Sequence, residues 1–224
     1  MNLSLHIIVE IIAFLVSIIC YQTIKDTPLK WFIPFLFGIV CLEIVAYYMA
    51  FTLKMHTVKL YNISMPIEYS FYAFIIYKYL QGPIIKKLAL FLVVFTLAFS
   101  AINLAFIQGF SSFNTRNQQL GIAVVIFCCC AFFVDLFRRE EEINLFREPM
   151  FWIVTGVLLF NTGELSSILF SQFIRDNPNP SYPTFLYMII KILVYILYSF
   201  ISIGLLCTRK PYQTMSDKSS LSAY

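Results

Sequence analysis

The sequence predicts an all-α integral membrane protein: a seven-transmembrane-helix bundle with its N-terminus outside and its C-terminus inside. Three observations predict it. First, of 224 residues, 60% are apolar and 18% aromatic, while only 12% are charged, about half the charge of a soluble domain. Second, seven stretches could cross a bilayer, which takes about 20 apolar residues at a rise of about 1.5 Å each. Third, the basic residues collect at one set of span ends. This composition excludes a soluble globular enzyme, a disordered chain and a disulfide-stapled secreted domain. The formal charge of +4 reports the uneven placement of Lys and Arg, not affinity for nucleic acid.

The first span covers about residues 3–21 and holds Glu10 within its apolar run. It has no basic leader and no small-residue cleavage pattern, so it is expected to remain in the mature chain. The second span, about 31–53, begins at Trp31 and centres on Glu43. The third, about 62–80, carries Glu68, and the fourth, about 88–108, carries Thr96, Ser100 and Asn103. The fifth, about 119–137, contains Cys128-Cys129-Cys130. Successive thiols point about 100° apart on a helix, so these read as small packing residues and no metal is expected. The sixth, about 151–173, repeats the second's pairing with Trp152 and Glu164, and the seventh, about 184–207, holds Lys191. Backbone amides in lipid must pair internally, and runs such as Phe91-Leu92-Val93-Val94-Phe95 lack the alternation of a barrel strand. Helices are therefore predicted throughout.

Residues 1–208 thus form the transmembrane domain, and 209–224, rich in Ser, a disordered cytoplasmic tail. With the N-terminus outside, eleven basic residues fall on the inner side and four on the outer, which sets the direction. The expected home is the inner (plasma) membrane of a bacterium. The loop 177–183, with three prolines, should form a rigid outer cap. Arg138-Arg139-Glu140-Glu141-Glu142 should extend the fifth helix into water. Trp31 to Glu43 and Trp152 to Glu164 share one spacing, which fits a parallel three-plus-one-plus-three repeat with the fourth helix as connector.

Ionisable groups deep in lipid cost about 2.5–3.5 kcal/mol each on insertion scales, so they normally face the bundle interior. Glu10, Glu43, Glu68, Glu164 and Lys191 come from five spans. At about 1.5 Å per residue all five fall in a layer roughly 9–15 Å below the outer boundary. Helical spacing gives them polar company: Tyr187, Lys191, Tyr195, Tyr198 and Ser202 on span 7, Glu68 and Tyr72 on span 3, Asn161 and Glu164 on span 6, and Asn103 on span 4. The expected site is one outer-half chamber formed by Glu10, Glu43, Glu68, Tyr72, Asn103, Asn161, Glu164, Tyr187, Lys191 and Tyr195. If all were ionised, four carboxylates and one ammonium would leave a charge of −3 in low dielectric, so the chamber should hold protons or take up a cation or an amine. Single buried polar residues can also serve only as interhelical glue, worth about 0.6 kcal/mol on average.

Lys191 in the last of seven helices resembles the retinal-bearing lysine of microbial rhodopsins. The likeness covers topology and one residue: span 3 has no arginine and span 6 no proline. The layout is also similar to that of SWEET-type sugar transporters, whose proline-glutamine signature is missing. No family is assigned and no cofactor, retinal included, is expected. The Asn62-Ile63-Ser64 sequon abuts the membrane, and only His6 and His56 exist, too few for a histidine metal site.

Three functions fit these features. The foremost is transport of a small polar or cationic solute, or of protons. The second is ligand sensing, with Arg138, Arg139 and Arg147 facing a separate cytoplasmic or membrane partner. The third is an intramembrane enzyme acting on lipid, for which no catalytic residue is assigned. The expected partners are the bilayer, an unknown small solute or proton, and either a second copy or a signalling chain, with no nucleic acid.

Overall fold

The computed structural model describes residues 5–110, 112–138, 144–176 and 182–209. They form seven long helices: α1 (Leu5–Ile19), α2 (Phe32–Phe51), α3 (Val58–Tyr79), α4 (Pro83–Ile102), α5 (Thr115–Phe137), α6 (Pro149–Asp176) and α7 (Tyr182–Cys207). There is no strand among the described residues. Five segments are long and apolar enough to cross a membrane: Pro28–Phe51, Pro83–Ile107, Thr115–Phe137, Pro149–Ser171 and Thr184–Cys207. α1 is apolar but shorter, at 15 residues. α3 carries Asn62, Ser64, Glu68 and five tyrosines along its length, which lowers its hydropathy. The chain is a polytopic helical membrane protein.

Each helix begins and ends for local reasons. α1 stops at Ile19, and a single turn at Tyr21–Ile24 leads to a 3-10 turn at Pro28–Trp31. The Thr27 hydroxyl accepts the Leu29 N–H at 3.3 Å, capping that turn, and Pro28 has no N–H to leave unpaired. α4 starts at Pro83 for the same reason and ends in a π turn over Asn103–Ile107. α5 ends at Phe137, not beyond it: the Arg138 N–H closes a tight turn on the Leu136 carbonyl, and Arg138 is exposed. Arg139–Ile143, which includes the expected helical extension, lies outside the described residues, as do Asn177–Ser181 of the expected outer cap and the tail after Arg209. Arg147 closes a 3-10 turn, Leu145–Arg147, and is exposed.

The helices alternate in direction. Gln81 and Tyr69 of the α3 side meet Asp135 and Gly121 of α5 in the same order along the chain, so these two run parallel. α6 and α7 run antiparallel in the most extensive helix pair, with Gly163 against Leu193, Gly156 against Phe200 and Gly204 against Ile153. α1 packs between α2 and α7, α5 bridges α3 and α6, and α4 lies against α3 and α5. α2 meets α3 through aromatic rings, Phe35 stacked on Phe71 at 3.7 Å and Phe32 edge-on to Phe71 at 5.2 Å. Such pairs add about 0.5–1.5 kcal/mol beyond simple burial. α4 shows the division of faces clearly: Ala89, Val93, Thr96, Ser100 and Asn103 recur at helical spacing and are buried, while Ile84, Phe91 and Phe106 point out.

Several serines within the helices bond to a carbonyl of their own helix. Ser17 donates to Phe14 O, Ser167 to Gly163 O, Ser171 to Ile168 O and Ser202 to Tyr198 O, all between 2.6 and 2.9 Å. A hydroxyl has no water to satisfy it in an apolar surrounding, and the nearest free acceptor is the carbonyl one turn back. Asn62 is buried, 2% exposed, and donates to the carbonyls of Phe110 and Ser112 at 3.3 and 2.8 Å. Its amide is committed to holding the α4–α5 connection, so the sequon is a structural clamp in this fold.

Candidate functional site: a buried acid cavity

One cavity of about 130 Å³ opens among α1, α2, α3, α6 and α7. Glu10, Glu43, Glu68 and Glu164, from four different helices, all line it. Their company comes chiefly from α3, where Tyr61, Ser64, Met65, Glu68 and Tyr69 recur at i, i+3, i+4, i+7, i+8 and give this helix one continuous wall. Phe160, Val194, Leu197 and Tyr198 complete the α6 and α7 side. At about 30 Å³ per water molecule, the space suits about four waters or a solute of similar bulk.

The four carboxylates are held differently. The Tyr61 hydroxyl donates to both oxygens of Glu43, at 3.1 and 3.3 Å, and His6 Nε2 lies 3.6 Å from Glu43 Oε2. Glu164 accepts from the Tyr69 hydroxyl at 3.3 and 3.5 Å and from Gln118 Nε2 at 2.8 Å. Glu43 and Glu164 thus have donors built for them, and a hydrogen bond to a charged group contributes more than a neutral one. Glu10 does not. It is 4% exposed, and its Oε2 has no hydrogen-bond partner. Glu68 lies one helical turn from Tyr72, which is buried but, contrary to the expectation, is not among the residues that line the cavity.

Lys191 does not join this group. Its Nζ stands 4.3 Å from the centre of the Tyr187 ring, outside the residues that line the cavity. At about 100° per residue, Lys191 sits at the edge of the face that presents Val194, Leu197 and Tyr198. The long stem then carries the ammonium one turn along the helix, to an aromatic face that is 57% exposed. Tyr187 and Tyr195 are likewise outside the lining. With four glutamates and no Lys or Arg among the described residues on its walls, the cavity has a formal charge of −4 when those residues are fully ionised, one unit more negative than the sequence suggested.

Asn103 is also elsewhere. α4 packs against α3 and α5, which separate it from the cavity. The buried Asn103 amide donates within a cluster of Gln108 (3.0 Å), Asn117 (3.1 Å) and Asn114, and the Asn114 N–H in turn donates to Asn62 Oδ1 at 3.0 Å. These residues fasten the ends of α3, α4 and α5. Asn161 is fully buried and its amide donates to Val157 O at 2.8 Å, one turn from Glu164 but off the cavity wall. Sequence reasoning missed Tyr61, Tyr69 and Gln118. The first two were legible as part of the α3 stripe; Gln118 was not, because it lies where a loop was expected and α5 begins at Thr115.

Gly121 joins this site to the packing around it. A Cβ built there would lie 2.2 Å from Tyr69 Cδ2, and Tyr69 is 5% exposed with little room to retreat. Gly121→Val is expected to displace the ring, strip Glu164 of its hydroxyl donor and cost about 1–3 kcal/mol by overpacking. Thermal unfolding of the purified protein measures this, with Tyr69→Phe as the comparison that removes the hydroxyl alone; an unchanged midpoint for Gly121→Val would refute it.

The fold and the cavity together define a helical membrane protein with an acid chamber buried between five helices. Comparison with models of known families, with curated proteins and with solved structures finds no match.

Proposed function

We propose that all seven helices cross the bilayer, N-terminus outside and C-terminus inside, and that the protein transports a small cationic solute or protons through the acid cavity. The topology reading rests on a count along the sequence, eleven basic residues in the expected inner segments against four in the outer ones. Under it the cavity lies in the outer half of the membrane. The matched pairs Trp31 with Glu43 and Trp152 with Glu164 fit the parallel three-plus-one-plus-three repeat, because both glutamates reach the same cavity.

One observation carries the functional reading: four carboxylates from four helices face one small space with no Lys or Arg among the described residues on its walls. Interhelical glue needs neither a shared space nor a surplus of one sign. An uncompensated charge in low dielectric is costly, so the cavity must be occupied by protons or by a cation. Among the described residues no group of three His, Cys, Asp or Glu is arranged to hold a metal ion, which favours protons or an organic cation. Spans 1–3 rocking against spans 5–7 would expose the site to either side in turn.

The test is flux in proteoliposomes, read as an internal pH change and as uptake of radiolabelled tetramethylammonium. Glu43→Gln and Glu164→Gln are each expected to lower flux at least tenfold while helix content and gel-filtration behaviour stay unchanged. Wild-type flux no greater than in empty liposomes would overturn the transport reading; with binding retained, that result would favour a ligand sensor instead.

A further inference from the structure

We infer that the cation taken up by this site is the head of a single-chain alkylammonium amphiphile, whose tail lies in an apolar groove between α2 and α3. This rests on the reading of the acid cavity as a cation site and specifies what that cation carries.

The groove has a volume of about 250 Å³ and is walled chiefly by Pro34, Phe35, Gly38, Ile39, Leu42 and Ile67. It adjoins the acid cavity: Ile39, Leu42, Ser64 and Glu68 border both spaces. Gly38 keeps it open, since a Cβ there would meet nothing within 4 Å. From Leu42 back to Pro34 the groove follows eight helical steps, about 12 Å at 1.5 Å per residue. It therefore leads from the carboxylates, near the middle of the second span, towards that span's inner end, and opens sideways, where Phe37 and Ile67 are exposed. A molecule lying in both spaces has its charged end outward and its chain inward.

The head end suits an ammonium in two further ways. Glu10 brings a carboxylate oxygen with no partner, 4% exposed as a residue, to the cavity wall. Tyr61, Tyr69, Tyr198 and Phe160 line the same space, and aromatic rings attract quaternary ammonium ions. A metal ion or a proton would make no use of the rings or of the adjoining groove. A neutral amphiphile would leave the charge of the cavity unanswered. An alkylammonium uses all of these features.

Saturable binding of radiolabelled dodecyltrimethylammonium and tetramethylammonium to the full-length protein in phosphatidylcholine nanodiscs tests this. The dodecyl compound is expected to bind at least tenfold more tightly than tetramethylammonium. Gly38→Leu, which fills the groove without touching a carboxylate, should weaken the dodecyl compound tenfold or more and leave tetramethylammonium within twofold. Glu10→Gln should weaken both. If Gly38→Leu changes neither while Glu10→Gln still acts, the cation site stands and the tail assignment is overturned. If 1-dodecanol displaces the dodecyl compound at the same concentration as the unlabelled cation, the groove holds any hydrocarbon chain and the assignment is again overturned. If neither cation shows saturable, Glu10-dependent binding, the cation site itself falls.

Discussion

Replacing Glu10 and Glu68 together by Gln is expected to abolish cation binding and to cut flux at least a hundredfold. Glu10 Oε2 has no donor, and Glu68 has only the Tyr72 hydroxyl beside it on its own helix. Glu43 is met by Tyr61, and Glu164 by Tyr69 and Gln118. Those carboxylates spend part of their capacity on protein donors that are already present. Glu10 Oε2 has none, and Glu68 stands where cavity and groove meet. A ligand that binds only the folded state adds about 2.7 kcal/mol of stability at a concentration a hundredfold above its dissociation constant. For a chain of this size that amounts to a rise of about 5–10 °C in the unfolding midpoint. Wild type in saturating tetramethylammonium should show such a rise and the double variant none. Gln matches Glu in shape, so the double variant should fold, and its helix content by circular dichroism checks that it does. A full ligand-induced shift in the double variant would refute the assignment.

Gly204→Val should be the most destabilising single change in the bundle. A Cβ at this position would lie 2.7 Å from the Pro149 carbonyl oxygen and 2.6 Å from Ile153 Cγ1. A side chain can swing aside; a backbone carbonyl at the start of α6 cannot. The only relief is to move α6 and α7 apart, and theirs is the most extensive helix contact in the molecule. Small residues at such crossings let backbones approach closely, which within a membrane supplies much of the association energy. The expected cost is about 3 kcal/mol, at the upper end of the overpacking range, seen as a midpoint lower by about 6–12 °C. Gly38→Ala is the control. With nothing within 4 Å of its Cβ, it should leave the midpoint unchanged or raise it slightly, because Ala suits a helix better than Gly does. Equal midpoints for the Gly204 and Gly38 variants would show that the close approach of α6 and α7 carries no weight.

Both predictions concern features of different visibility. The glutamates were legible because an acid inside an apolar run of about 20 residues is costly wherever it points, and its depth follows from counting residues. The convergence of Glu10, Glu43, Glu68 and Glu164 follows from that count together with the need to hide each from lipid. The part of Lys191 was not legible in the same way. A long flexible side chain at the edge of a face can turn to the cavity or away, and the exposed Tyr187 ring decides which. Asn103 was misplaced for another reason: polarity marks it as buried, yet nothing local says whether α4 borders the cavity or backs onto α3 and α5.

Composition and hydropathy alone determined that this chain is a helical membrane protein, where its helices run to within a few residues, and that acids lie within them. These are local properties: the rise of a helix, the cost of an unpaired amide in lipid and the cost of a charge there act on each segment separately. Only the tertiary structure decided which helices adjoin, that Tyr61, Tyr69 and Gln118 serve the carboxylates while the amine of Lys191 does not, and that an apolar groove meets the cavity at Glu68. Those outcomes depend on the rotation of each helix about its own axis, which close contacts such as Gly121 on Tyr69 and Gly204 on Ile153 set across the bundle and no single segment encodes.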